Sequence, residues 1–400
     1  MTGLDIAAPI LEVDPFSTAV LQNPYPFHEV LRETGAVVWL PAYGIFGVGR
    51  YADVRSILMD WRTFCSSAGV GLTNFRKETP WREPSVVVEA DPPLHTRTRA
   101  VLTRILAPRE LRKLEEVFER EAEHLVEYLL RVGEFDGIAE LAEPFLVKVF
   151  SDAMGLQKEG RREHLLSYSN IGFNAFGPRN ALFNDAIAGS ARAVDWIMAN
   201  CSRALLEPYG FGAQIYASVD TGELTEREAF LMVRGFLTAG MDTTIAGLGS
   251  ALLCLARDPA QWEMLRQEPS LAQSAFEEAL RVEAPIQTLF RTITRDVEIA
   301  GVMLPEGEKV LLSLGAGNRD PRKWQDPTRY DLTRRSGSHV GFGAGIHGCV
   351  GQIIARMESN AVLGALARRV RHISLAGEPE FRLNNTLRGL SRLPLRLRAA

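Results

Sequence analysis

Apolar residues along this chain recur mostly at helical spacing and only rarely in the alternation of strands. From Pro108 to about Leu130, charged and apolar positions interleave with a period that predicts a long amphipathic helix. Further helices are expected toward Asn200, with breaks at Gly133 to Asp136 and at Gly177-Pro178. Thr225-Glu226-Arg227-Glu228 has the spacing of a capping box, with the threonine oxygen placed for the first free amides and the glutamate for the return bond. A helix is predicted from there to about Arg257, where Asp258-Pro259 stops it, and roughly 30 residues at 1.5 Å each span about 45 Å. Strand signals are few. Ala36 to Leu40 and Ile45 to Val48 flank Pro41-Ala42-Tyr43-Gly44 and predict a hairpin. Val297 to Ala300 and Val310 to Leu314, joined through Gly301 to Glu308, predict a second small sheet, and the C-terminal end reads as strand too. With no internal repeat, low-complexity tract or linker, the expectation is a single mainly α domain over residues 1–400 with small β-sheets.

Composition narrows the class. The chain is 46% hydrophobic and 24% charged with a formal charge of -4, which fits a globular protein and gives no basic excess for nucleic acid. Asp5, Glu12, Asp14 and several prolines near the start do not make the basic start and apolar run of a secretion signal or anchor. The uncharged stretches Thr34 to Gly49 and Thr243 to Ala256 fall short of a membrane span, so no membrane association and a cytoplasmic location are expected. Cys65, Cys201, Cys254 and Cys349 are scattered, which suits a reducing compartment, and no Cys-x-x-Cys spacing supports zinc.

Cys349 stands apart from the other three. It lies in Phe342-Gly343-Ala344-Gly345-Ile346-His347-Gly348-Cys349-Val350-Gly351, a glycine-rich loop running into an amphipathic helix. An unpaired cysteine is ordinarily a small buried apolar residue. Four glycines (341, 343, 345 and 348), a nearby histidine and a helix start are costly choices around an inert thiol, and amides aimed at the sulfur predict a thiolate. A single sulfur bond to an otherwise self-sufficient ligand fits, and haem is such a ligand. Upstream, Ala239-Gly240-Met241-Asp242-Thr243-Thr244 interrupts an apolar helical run with residues that helix propensity disfavours. Phe236, Leu237, Met241, Ile245, Leu248 and Leu252 leave little room for a polar face there, so a buried acid beside an alcohol is expected, a pairing suited to proton delivery.

Position by position, Phe342 to Gly351 resembles the haem-binding loop of the cytochrome P450 haem-thiolate monooxygenases, and three further family motifs lie upstream in the family's order. The resemblance covers nearly the whole chain. It implies the cytochrome P450 fold, with haem b between the long helix and the cysteine loop, Cys349 as the iron ligand, and Phe342, Gly343 and Gly351 beside it. It further implies that Thr243 holds bound oxygen and water while Asp242 relays protons. Asp91-Pro92-Pro93-Leu94-His95-Thr96-Arg97-Thr98-Arg99 matches the propionate-binding segment, implying His95 and Arg99, with Arg291 and His347 as the other two donors. Glu278 and Arg281 match the family's Glu-x-x-Arg. Asp326-Pro327-Thr328-Arg329-Tyr330 resembles the segment that supplies a second arginine, here Arg329, so these three are expected to be structural.

The substrate-covering loop carries unusual polarity. Arg82 followed by Ser85 can form a small anion pocket, and an exposed loop arginine is the competing reading. This loop, Phe173 to Pro178 and Asn384 to Arg388 resemble the bacterial branch that oxidises para-substituted benzoic acids. The likeness implies an aromatic carboxylic acid held at Arg82 and Ser85 and clamped by Val88, Phe173, Phe176, Ala239, Ile286, Leu289 and Leu387. Arg234 and Thr238 belong to the carboxylate end. Gly235 and Thr238 depart from serines common in that branch, which leaves a cinnamate, a phenylacetate or a neutral hydrophobic compound open. Hydroxylation or O-demethylation is implied, driven by O2 and two electrons from a [2Fe-2S] ferredoxin with an NADH-dependent reductase. Arg97 and Arg356 are expected to steer that partner, and a monomer is expected. A peroxide-driven enzyme and a haem sensor or carrier are the rivals, and neither needs the Asp242–Thr243 pair.

Overall fold

The structure, a computed structural model, describes residues 8–399, so Asp5 lies outside the described residues. The amphipathic stretch forms the helix Pro108–Val132, with a proline in its first turn and Gly133 (φ 82°) at its end. Leu111, Phe118, Ala122, Val126 and Leu129 make its buried stripe. That helix packs along Gln352–Arg369, the helix that follows the cysteine loop. The series continues through Glu143–Met154, Arg161–Asn174, Ala181–Ala188 and Ala191–Asn200.

The capping box at Thr225 forms as predicted, with the Glu228 amide donating to Thr225 Oγ1 (3.2 Å) and the Thr225 amide donating to Glu228 Oε2 (2.8 Å). The expected single long helix is instead two, Glu226–Ala239 and Asp242–Arg257. Gly240 lies against the Phe150 ring with no room for a Cβ. The Ala239 carbonyl accepts from the Thr243 hydroxyl (2.9 Å), and the Thr244 amide turns back to the Met241 carbonyl (3.0 Å). The helical ladder therefore opens at the acid and alcohol. Together the two pieces are long and apolar enough to cross a membrane, yet 83% of the apolar window is buried inside the protein.

A five-stranded sheet lies beside the helices in the order Val38–Leu40, Ile45–Val48, Lys309–Ser313, Thr288–Ile293, Phe64–Cys65. The predicted hairpin is present, with Val38 opposite Gly47, and Ile45–Val48 runs parallel to Lys309–Ser313. The second sheet differs from expectation, because Val297–Ile299 pairs with Val302–Leu304 rather than with the strand after Glu308. Ala300 (φ 50°) and Gly301 (φ 83°) turn the chain back within two residues, while every residue of Lys309–Ser313 is buried and takes an inner place in the larger sheet. At the C-terminus, Pro394–Ala399 lies between Glu134–Asp136 and Val370–Leu375, and Glu380–Arg382 pairs with Gly389–Arg392. The largest apolar cluster joins the helices and a second one backs the five-stranded sheet.

Candidate active site around Cys349

The cysteine loop is held by its backbone. The Cys349 amide donates to the Phe342 carbonyl (2.8 Å), and Gly343 and Gly345 take φ of 70° and 69°. A Cβ on Gly345 would come 2.6 Å from the Leu58 carbonyl oxygen, so only glycine fits that turn. The amides of Gly351 and Gln352, at the start of the Gln352–Arg369 helix, favour a charged sulfur in the sense that the sequence suggested. Burial pushes the Cys349 thiol above its ordinary value, and those two amides with Arg99 and Arg356 oppose it. A bound cation such as iron would further favour the thiolate expected there.

A cavity of about 200 Å³ separates the sulfur from the helix break, with Cys349 and Gly351 on one side and Phe236, Ala239 and Gly240 on the other. Arg99, Arg291 and His347 also line it. Arg291 is fully buried and its guanidinium donates only to the neighbouring Phe290 carbonyl (2.8 Å), so burial lowers its pKa to about 10. His95 is 2% exposed with neither ring nitrogen bonded, and its ring lies 4.3 Å from that of His347. Burial, then His347 and Arg99, lower the His95 pKa to about 4. His347 Nε2 is also unbonded, 3.7 Å from Asp91. Arg99 donates to the Gly348 carbonyl (2.5 Å). Orphaned buried donors of this kind fit the two propionates of haem, and the flat glycine face beside Cys349 fits its ring.

Asp242 is 2% exposed, and both its oxygens accept from Arg382 Nη2 (2.9 and 2.8 Å). Nothing in the sequence pointed to Arg382, 140 residues away on Glu380–Arg382.

The predicted substrate residues divide into three groups. Ser85, Val88, Ala239 and Leu289 line the cavity above Cys349. Phe173 and Leu387 form a separate apolar cluster with Ala246, on which Phe176 and Ile286 pack. Arg82 and Arg234 sit at the Ser85 end and both donate to the Glu83 carbonyl (2.9 and 2.6 Å). Arg82 is not the free loop arginine of the competing reading, because it pairs with buried Glu89 (3.0 Å), whose Oε2 also accepts from the Ser85 amide (2.7 Å). Thr238 is corrected: its hydroxyl donates to the Arg234 carbonyl (2.8 Å), and a Cβ on Gly172 would come 2.7 Å from its methyl, so the side chain faces the Arg161–Asn174 helix. Gly235 faces Ser85, where an added Cβ would meet only Ser85 Oγ at 3.9 Å.

Glu278 and Arg281 are fully buried and joined by two bonds (2.8 and 2.7 Å). The second arginine is corrected from Arg329 to Arg334, whose Nε donates to Glu278 Oε1 (2.9 Å), whereas Arg329 offers only its backbone carbonyl to Arg281 (2.9 Å). Arg97 and Arg356, expected to steer a partner, both carry counter-ions on their own surface. Arg97 is paired with Glu228 (2.5 Å) and Arg356 with buried Glu277.

A sulfur in a glycine turn, donors without acceptors beside it and a broken helix across an apolar cavity describe a haem-thiolate monooxygenase, with haem b as its cofactor. The chain belongs to the cytochrome P450 family. A family model described as Cytochrome P450 matches residues 211–398. The chain is 54% identical over 393 residues to cytochrome P450 CYP199A2 of Rhodopseudomonas palustris, covering 98% of this chain and 95% of that one. It is 31% identical to vitamin D(3) 25-hydroxylase of Pseudonocardia autotrophica, covering 96% of each. Among solved structures it resembles CYP109Q5 from Chondromyces apiculatus, with a TM-score of 0.81 at 29% identity over 97% of this chain and 99% of that one.

Proposed function

We propose that this monooxygenase hydroxylates or O-demethylates a small aromatic carboxylic acid of the para-substituted benzoate type, using O2 and electrons from an external [2Fe-2S] ferredoxin and its NADH-dependent reductase. The observation that carries the reading is the pair of guanidinium groups at the Ser85 end. Arg82 and Arg234 share one carbonyl oxygen, and Glu89 supplies one carboxylate between them, because Glu83 is paired with Arg227. One buried cation is left over, at Arg234 next to Gly235, which lines the cavity. Burial, then Arg82, lower the Arg234 pKa, which marks a charge in want of an anion.

In this reading haem b, bound through Cys349, supplies the iron at which dioxygen is activated. Cys349 would supply the sulfur that holds the iron, and His95, Arg99, Arg291 and His347 would hold the propionates. Ser85 and Arg234 orient the acid, with Val88, Ala239 and Leu289 packed along its ring. Thr243 places a hydroxyl at the helix break, and Asp242 passes protons inward. The open space at Gly235 favours a longer acid, such as a cinnamate, as the second reading. Titrations of the holoprotein with 4-methoxybenzoate and its methyl ester test the anion site through the change in spin state. The acid should bind at least tenfold more tightly, and equal affinities would discard the carboxylate anchor.

A further inference from the structure

Lys309 opens the strand Lys309–Ser313, opposite Thr292, and is only 5% exposed. Its Nζ donates to the carbonyls of Gly69 (2.6 Å) and Ala68 (3.2 Å). No ion pair to a carboxylate forms at Lys309 among the described residues. The titratable and charged groups around it are Cys65 on Phe64–Cys65, Arg291 on Thr288–Ile293, Glu78 and Glu89 on the covering segments, and Lys77, Glu308 and Arg179, which line the same recess, with Lys77 and Glu308 paired (3.3 Å); Arg291 repels an ammonium. Two acceptors match the two N–H bonds of a neutral amine, whereas an ammonium has a third. Burial, which outweighs Cys65, Glu89 and Glu78, correspondingly lowers the Lys309 pKa to about 7.

Both carbonyls belong to one loop, residues 66–75. Gly69 turns it at φ 96°, and the Phe75 amide closes it onto the Ala68 carbonyl (3.0 Å). From there the Val70 carbonyl accepts from the Phe290 amide (2.9 Å), and the Leu72 amide donates to the Phe176 carbonyl (2.8 Å). Val70 lines the cavity above Cys349. The buried amine is thus one fastening, beside the Asp91 carboxylate that accepts from the Ser66 and Ser67 amides (3.1 and 2.9 Å), of a loop that touches both the cavity and Phe176.

We propose that Lys309 is a positioning residue that, as a neutral amine, locks the 66–75 loop against the cavity, and that protonation favours the released loop. The sign follows from linkage. Released, the lysine meets water and regains an ordinary value near 10.5, so between about 7 and that value the released state binds a proton that the locked state does not. Lowering the pH through this window shifts the balance toward release by up to about tenfold per unit, and below about 7 the dependence flattens. None of this depends on the substrate being an acid.

Hydrogen exchange of the substrate-free holoenzyme, corrected for intrinsic rates, tests the lock between pH 7 and 9. Protection of residues 66–75 should rise several-fold per pH unit while Thr288–Ile293 stays level, and Lys309→Met should abolish the slope. Dissociation of 4-phenylimidazole, which is neutral in this range, should slow in parallel. A flat wild-type profile overturns the proposal, as does a slope that survives in Lys309→Met. Should the methionine variant fail to take up haem, Lys309→Gln keeps a donor without titrating, and a surviving slope there overturns it equally.

Discussion

Arg334→Ala should loosen the cysteine loop, and Arg329→Ala should not. Glu278 is completely buried and accepts from Arg281 Nε and Nη2, from Arg334 Nε (2.9 Å), from the Ser336 hydroxyl and from the Asp331 amide (3.3 Å). Removing Arg334 deletes one bond to a charged group, worth about 1.5–3 kcal/mol, and leaves Arg281 to neutralise the carboxylate. Glu278→Gln goes further, because it strands the guanidinium of Arg281 without a counter-charge, at about 3–5 kcal/mol. Against a total stability of about 5–15 kcal/mol, the first loss is tolerable and the second borders on unfolding. The damage should reach the sulfur by a definite path. Arg281 donates to the Asn318 carbonyl (2.9 Å), and Asn318 Oδ1 receives the Val340 amide (2.8 Å), two residues before Phe342. The assay pairs guanidinium unfolding of the holoprotein with the spectrum of the reduced, carbon-monoxide-treated form, which reports intact sulfur ligation. Arg329 contributes only a backbone carbonyl, so its alanine variant should stay within about 0.5 kcal/mol of the parent. Equal loss in the Arg329 and Arg334 variants, or no loss in either, would refute the assignment.

Two further outcomes concern the helix break. Thr243→Ala removes the hydroxyl that occupies the Ala239 carbonyl (2.9 Å), and it should keep haem and substrate binding while diverting reducing equivalents to peroxide; an unchanged product yield per NADH removes Thr243 from oxygen handling. Arg382→Met leaves buried Asp242 without its cation and should slow turnover about tenfold, short of the 10²–10⁴ expected for deleting a general acid, while enlarging the solvent deuterium isotope effect. An unchanged isotope effect separates Arg382 from proton delivery.

The parts of the site that were legible in the sequence are those fixed by short spacing. The turn at Gly343 and Gly345, the capping box at Thr225 and the Glu278–Arg281 pair all lie within a few residues, where backbone geometry leaves few alternatives. The helix break at Gly240 was half legible. Poor helix formers marked the place, but the Phe150 ring that excludes a side chain there comes from a distant helix. Strand pairing failed for a local reason instead. Val297–Ile299 and Lys309–Ser313 were both recognised as strands, and only the positive φ at Ala300 and Gly301 decides that the first pairs locally while the second enters the larger sheet.

Partners of charge were the least legible, and the consequence is chemical. Asp242 finds Arg382, Arg82 finds Glu89, and Glu278 finds Arg334 rather than Arg329, each through the path of an intervening loop that composition does not encode. The charges then read differently from the residue list. An arginine at position 82 alone suggests a ready anion receptor, but paired with Glu89 it is already neutralised, and the surplus passes to Arg234, 3% exposed and bonded to a carbonyl. Selectivity for an acid over its ester should therefore fall more steeply in Arg234→Met than in Arg82→Met, because the former removes the cation that lacks a carboxylate, while the latter removes one already paired with Glu89.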